Sequence, residues 1–276
     1  MILAPLRGVT IRCFRETFAD EIRAAGFTEA ITPFIPAISG YDPLTDRELA
    51  GGDCGLKITP QFIGKDPAAL RVCLERVKAA GYDTADLNCG CPFPMVRNKG
   101  RGSGILRTPD VLRRMLEVGC ATMGPGRFSV KARLGIDRSD ELLGLMPLLN
   151  EFPLRFLTVH ARQARQMYGG CCDVAQFDEI VRVAKMPVVQ NGDLDWRGGT
   201  GMVGRSFIRY LGEREDVHDL LARYIAASQV ELRGDRPVLG RMKELLAYWK
   251  DQPYWRRRWS VIKICRSVDE LKTLAT

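Results

Sequence analysis

ADLNCGCPFPMVRNKGRGSGIL, from Ala85 to Leu106, is the stretch on which the reading of this chain turns. It opens as a short, mostly apolar run, Ala85 to Leu87, and breaks at once into Asn88-Cys89-Gly90-Cys91-Pro92. A buried parallel strand running into a glycine- and proline-rich loop has this form. The loop carries an amide, two thiols, Arg97, Lys99 and Arg101, with glycines at 90, 100, 102 and 104. Glycine lets a backbone approach a ligand closely, and a thiol on a loop after a strand can reach a bound substrate. A bare Cys-Gly-Cys-Pro is more often a tight turn with two inert cysteines. The rest of the chain has to decide.

Outward in both directions, short apolar runs alternate with helical patterns, the sign of a parallel α/β architecture. Strands are predicted at 1–4, 29–32, 57–62, 84–88, 128–133, 156–160, 187–191 and 200–204. Helices are predicted between them at 11–25, 67–80, 109–120, 140–150 and 174–184. In 67–80, Leu70, Leu74 and Val77 recur at helical spacing, and Pro67 stands where a first turn tolerates proline. Eight strands with intervening helices predict a (β/α)8 TIM barrel over residues 1–210, with its active site at the C-terminal strand ends. Chemically useful groups collect there: Pro5-Leu6-Arg7, Gln61, Asn88 to Cys91, Lys131 and Arg133, His160 and Arg162. Asn191-Gly192-Asp193 and Gly204-Arg205 follow, and fit the phosphate site that barrels often place after their last two strands. Beyond Arg205 the strand pattern stops. Helices predicted at 213–229, 237–250 and 254–264, and a short one after Ser267, make 211–276 an all-helical C-terminal domain.

Asp86-Leu87-Asn88-x-Gly90-Cys91-Pro92, with Gly100, Gly102, Gly104 and Leu106, resembles the signature of the tRNA-dihydrouridine synthases. These flavin enzymes reduce the 5,6 double bond of uracil in tRNA. Val130-Lys131-Ala132-Arg133-Leu134-Gly135 and His160-Ala161-Arg162 are similar to the family's patterns too, and the resemblance runs from Leu3 to about Arg205. It implies FMN as cofactor, NADPH as reductant and tRNA as substrate. Cys91, rather than Cys89, would be the catalytic acid, with Asn88, His160 and Arg162 at the substrate. Pro5, Leu6, Arg7, Gln61, Lys131, His160, Asn191, Gly192, Asp193, Gly204 and Arg205 would hold FMN. Leu6 stands where the family usually has methionine, and Arg7 where an acidic or small residue is commoner.

Composition agrees without adding specificity. The chain has 276 residues, 46% hydrophobic and 27% charged, an ordinary globular balance, and no run of membrane-spanning length. A net charge of +8 favours an acidic partner such as nucleic acid. Lys99, Arg101 and the run Arg256-Arg257-Arg258 are candidate RNA contacts, the last flanked by Trp255 and Trp259, whose rings either stack on bases or pack inward. Nine cysteines, without Cys-x-x-Cys pairs or histidines at zinc spacing, fit a reduced cytoplasmic protein with no metal, expected to act as a monomer. Adjacent Cys171 and Cys172 read as space-filling. Two other functions fit less well: a barrel flavin oxidoreductase of a small pyrimidine-like substrate, and an RNA-binding relative without catalysis. The basic tail argues against the first and an intact Cys91 against the second.

One link breaks the alternation. A crossover between neighbouring parallel strands takes at least ~10–12 residues including its helix. Only residues 192–200 separate Asn191 from Gly201, and Gly192 and Asp193 belong to the phosphate loop. What remains contains Gly198-Gly199 and no apolar stripe. The barrel is therefore expected to lack the helix between its seventh and eighth strands, leaving apolar flanks uncovered.

Overall fold

The computed structural model describes residues 1–40, 42–51 and 54–275. β1 (Ile2–Leu3) leads through α1 (Arg12–Thr17) and α2 (Ala19–Ala24) to β2 (Glu29–Ile31) and a two-residue β3 (Ile35–Pro36). After α3 (Pro43–Leu49) come β4 (Lys57–Thr59), β5 (Gln61–Ile63), α4 (Pro67–Ala79) and β6 (Ala85–Cys89). α5 (Pro94–Arg97), a 3-10 turn (Gly102–Arg107) and α6 (Pro109–Met123) precede β7 (Phe128–Gly135). α7 (Glu141–Leu149), β8 (Leu157–Gln163), α8 (Val174–Val183), β9 (Val188–Asn191) and β10 (Met202–Val203) follow. The chain finishes with α9 (Arg205–Leu211), α10 (Val217–Glu231), α11 (Asp235–Leu246), α12 (Pro253–Ile264) and α13 (Val268–Ala275).

The strands form one parallel sheet in the order β3-β5-β6-β7-β8-β9-β10-β1-β2-β4. Its barrel-like closure rests on Pro60. Proline has no N–H to give to a ladder, so the run predicted as one strand at 57–62 divides around it. β4 pairs with β2, and β5 turns to pair with β6. The Pro60 carbonyl accepts from Asp86 N at 2.9 Å, and hydrogen bonding passes from one side of the sheet to the other through a single residue. Below the mouth, Glu29 and Arg155 make a two-point ion pair at 2.5 and 2.7 Å, to which Thr59 adds a hydrogen bond of 2.9 Å.

Local sequence explains the helices. Asp66 caps α4 through Ala68 N at 3.0 Å, Pro67 occupies its first turn, and Leu70, Leu74 and Val77 are buried. One apolar cluster fills the space between β5–β8 and α4, α6 and α7. A second runs from Leu3 and Phe14 through Phe207 into the tail, reaching Leu245, Trp255 and Leu271. The tail thus packs on the barrel's first and last units through a shared core. Trp249 Nε1 donates to Ile208 O at 2.6 Å and Trp255 Nε1 to Gly212 O at 3.1 Å. Both indoles are buried, so they pack inward rather than offering rings to bases.

Between β9 and β10 there is only a 3-10 turn, Trp196–Gly198. No helix lies in the chain between the two strands, and the neighbouring α8 exposes Val174, Val181 and Val183, but the flank of β10 is not left open as expected, since Met202 and Val203 are buried. Val188, Val189 and Gln190 of β9 are only half-buried. The chain partly covers itself instead. Trp196 lies against Tyr210 with ring centroids 4.5 Å apart, and Leu194 packs on the tail cluster.

Candidate active site

The cysteine loop is built by hydrogen bonds from inside the sheet. Asn88, last but one in β6, accepts with its Oδ1 from Gly90 N at 3.1 Å and Cys91 N at 2.9 Å. Its Nδ2 donates to Gln61 Oε1 at 2.8 Å, and Gln61 Nε2 donates to Asp86 Oδ2 at 2.7 Å. Ser129 Oγ donates to Asp86 Oδ1 at 2.6 Å. From the other side, the Cys91 carbonyl accepts from Ser103 N and Oγ at 3.1 and 2.9 Å. Two glycines make that return possible. A Cβ at Gly102, where φ is +57°, would lie 2.7 Å from Cys91 Cβ, and one at Gly104 would lie 2.1 Å from Arg97 O.

The two thiols differ by environment. Cys89 is fully buried in the core beside Leu87 and Phe62, and burial pushes its thiol far up, out of reach of useful ionisation. Cys91 is 6% exposed at the mouth. Burial raises its pKa as well, opposed by the Phe93 backbone and by the charges of Arg7, Arg133 and Lys131. A thiol held protonated at neutral pH is a proton donor, not a nucleophile.

Lys131 pairs with Asn88 in the ladder and is half-buried. Its ammonium makes no hydrogen bond or ion pair with a described residue. Burial, with Arg133 nearby, lowers it to about 8. Arg133 reaches across to Gly90 O at 3.1 Å and Gln163 O at 3.1 Å, tying the cysteine loop to β8.

His160 ends up beside Arg162, whose five donors all finish on protein atoms. Nε donates to Gly169 O, Nη2 to Gly170 O and both Asp193 oxygens, and Nη1 to His160 Nε2 and Cys172 Sγ, each at 3.2 Å. Burial and the cations Arg133, Lys131, Arg162 and Arg205 drive the His160 pKa far down, so the ring is neutral. With Nε2 accepting from Arg162, the proton sits on Nδ1. Cys172 therefore does not simply fill space: its Sγ is a partner of Arg162, while Cys171 is exposed.

On the phosphate side, Gly192 has φ +95°, and a Cβ there would lie 2.6 Å from the His160 ring and 2.7 Å from Cys172 Sγ. Asn191 Nδ2 donates to Met202 O at 2.8 Å, locking β9 to β10. Asp193 is held by Arg162 and by Cys172 N. The Arg205 guanidinium lies 3.7 Å from the Tyr168 ring centroid, with Arg133 over the same ring at 5.3 Å. The tail contributes as well: Glu244 of α11 stands so close to Gly8 that a Cβ there would be 1.5 Å from Oε2, and Tyr248 flanks Arg205. Pro5 and Leu6 are half-buried and Arg7 is exposed over Phe34.

Gln61, Asn88, Cys91, Lys131, His160, Arg162, Gly192, Asp193 and Arg205 are thus linked at one end of the sheet by direct contacts or shared neighbours. Lys99 is exposed and Arg101 half-buried on the cysteine-loop side, while Arg256, Arg257 and Arg258 lie on α12 in the tail. Arg256 donates to Asp251 O and Arg258 stacks on Tyr254 at 3.9 Å. Asp86, Ser103, Cys172, Glu244 and Tyr248 were not singled out as site residues from sequence. Among the described residues no group of three or more His, Cys, Asp or Glu could hold a metal ion, and no helix is long and apolar enough to cross a membrane.

An FMN fits this arrangement on its own terms. Lys131 offers an unpaired, half-buried cation with Cys91 and Arg133 near it.

Known proteins are similar to this chain. The family model for dihydrouridine synthase (Dus) matches residues 2–198. tRNA-dihydrouridine synthase B of Vibrio cholerae is 28% identical over 196 residues, which is 71% of this chain but 60% of that protein. The tRNA-dihydrouridine(16) synthase of Salmonella typhimurium is 25% identical over 288 residues, covering 91% of this chain and 90% of its own. Among solved structures, an old yellow enzyme homologue from Zymomonas mobilis gives a TM-score of 0.57 at 14% identity, over 76% of this chain and 85% of that one. Morphinone reductase gives 0.53 at 14%, over 76% and 82%. Those two likenesses concern the fold. The family match takes in the cysteine loop, Lys131 and the His160 strand end, and on that ground this chain belongs to the dihydrouridine synthase family.

Proposed function

We propose that the chain is an FMN-dependent, NADPH-linked tRNA-dihydrouridine synthase, with Cys91 as the proton donor. The observation that carries this reading is the environment of Cys91: a protonated thiol at the mouth, its backbone held from both sides by Asn88 and Ser103. FMN held there and reduced by NADPH would supply hydride for uracil C6. The C5=C6 bond is conjugated with the C4 carbonyl, so C5 then needs a proton, which Cys91 Sγ delivers. Lys131 would offset negative charge on the cofactor, and Gly192, Gly204 and Arg205 would hold its phosphate with backbone N–H groups. His160 would donate from Nδ1, while Arg162 holds the ring and the loop after β8 in place.

Residues 211–276 would help hold tRNA beside the barrel of 1–210, with Lys99, Arg101 and Arg257 on phosphates. The target uridine must leave its stack to reach the pocket, at a cost of a few kcal/mol offset by such contacts. The test is anaerobic. The purified chain, loaded with FMN and reduced with NADPH, should be reoxidised by tRNA transcript lacking dihydrouridine, with one dihydrouridine formed per flavin oxidised. Reoxidation by free uridine or orotate, pyrimidines that still carry the 5,6 double bond, but not by tRNA, would favour a small-molecule oxidoreductase instead.

A further inference from the structure

We propose that Asp86 is a positioning residue that sets the donor and acceptor polarity of the whole chain of side chains holding the Cys91 loop. Its functional meaning rests on the reading of Cys91 as the acid; its structural meaning does not. The argument follows from what each group can do. Asn88 must face two backbone N–H groups, those of Gly90 and Cys91, so its oxygen points to them and its nitrogen to Gln61. Gln61 must then present oxygen to Asn88 and nitrogen to residue 86. Only an acceptor at 86 closes the series. An ionised carboxylate accepts and cannot donate, which makes it the one side chain of this size that forbids the reversed arrangement.

Water cannot substitute for any member, because Gln61 and Asp86 are 0% exposed and Asn88 is 8% exposed. Asp86 has no ion pair at hydrogen-bond distance. It is faced by Ser129 and Lys131 on β7, Gln61 on β5 and Glu29 on β2. Keeping a carboxylate there is unfavourable, since burial raises its pKa to about 6 despite two hydrogen bonds. For packing alone, asparagine would fill the same space without a buried charge. It would also let Gln61 turn over, setting nitrogen against nitrogen at Asn88 and freeing the Gly90 and Cys91 amides.

Two readings on the full-length chain, neither needing turnover, test this: hydrogen exchange at the Gly90 and Cys91 amides, and the rate of Cys91 alkylation by iodoacetamide with exposed Cys171 as internal reference. Asp86→Asn should raise both by about tenfold, the equivalent of one lost hydrogen bond, while amides of β8 keep wild-type exchange. The double variant Asp86→Asn/Gln61→Glu puts the carboxylate one step along. It accepts from the new amide at 86 and from Asn88, and should return both rates to within about twofold of wild type. The proposal is overturned if the single variant stays within about twofold of wild type, or if the double variant is no closer to wild type than the single, including the case in which neither folds. Uridine reduction, assayed separately, can fail without touching these rates, so the two readings of the site stand or fall apart.

Discussion

The Cys91 loop and the link from Asn191 to Gly201 lie at the same end of the same sheet, and they are held by different means. The first is long, rich in glycine, and fixed by side chains buried inside the barrel, with Asn88, Gln61, Asp86 and Ser103 all hydrogen-bonded. The second is short and leaves α8 valines in solvent, its single turn resting on Trp196 and Leu194. A loop can be well determined without regular structure when every buried polar group finds its partner. The link is fixed by fewer such bonds, Ser206 Oγ accepting from Trp196 N at 3.1 Å and donating to Leu194 O at 2.8 Å, and otherwise rests on the apolar contacts of Trp196 and Leu194.

The sharpest way to break the comparison is at the thiols. Cys91→Ala should lower the rate of uridine reduction by about 10²–10⁴ with little change in FMN content. Cys89→Ala, two residues away in a packed core, should cost only ~1 kcal/mol of stability and leave the rate within a few-fold. Single-turnover rates and thermal melts of both variants decide it; a larger rate loss at Cys89 would put the acid in the wrong place.

Glycines separate the two regions next. Gly104→Ala drives a methyl into Arg97 O and should destabilise by about 1–3 kcal/mol while speeding proteolysis of the cysteine loop. Gly198→Ala, with nothing within 4 Å of the new Cβ, should be neutral or stabilise by up to about 1 kcal/mol. Equal effects in denaturant titrations would erase the distinction. Building a helix of three turns into the link should add about 0.7–1.5 kcal/mol for each half-exposed apolar side chain it covers, such as Val181, and raise the melting temperature by several degrees. An unchanged melting temperature would mean that the exposed valines are already accommodated.

The smallest expected effect is electrostatic. The folded-state pKa of Lys131 lies at about 8, below that of an unfolded lysine. Its charge is present below that pH and lost above it, so FMN retention should weaken as pH rises through 8, approaching tenfold per unit. For the ligand-free chain the sign is opposite. Above pH 8 the unfolded lysine binds more protons than the folded one, so this group's share of stability rises with pH until both are neutral. Lys131→Met should flatten the FMN profile between pH 7 and 9, and a wild-type profile already flat there would remove Lys131 from the cofactor site.

Much of this molecule is legible before folding. Alternating apolar runs placed the strands because a parallel strand buried on both faces must be apolar, and the residue count between Asn191 and Gly201 was enough to exclude a packed helix. The divided strand at Pro60 was missed although the proline was in plain view, because its effect depends on which neighbours pair on either side. α9 went unread because its seven residues show too little periodicity, and β3 because two residues carry none. The polarity of the Asp86 series was invisible for a different reason. Asp86, Gln61 and Ser129 lie far apart in sequence and meet only in the folded sheet, so Asp86, though it opens the signature, shows no partner and no role there. Glu244 of α11 and Tyr248 in the turn after it reach the mouth from over two hundred residues downstream of Gly8. Of the two tryptophans balanced between stacking and packing, Trp255 turned inward, its indole N–H meeting Gly212 O at the end of α9, while Trp259 is half-buried.

The central claim is that this barrel reduces uridine in tRNA with Cys91 as the proton donor. Dihydrouridine mapped position by position, in tRNA from cells with and without the gene, tests it most directly when each strain is complemented with wild type and with Cys91→Ala. The account predicts that at least one position loses dihydrouridine without the gene, regains it with wild type and does not regain it with Cys91→Ala. Identical maps with and without the gene, or full recovery with Cys91→Ala, would contradict it.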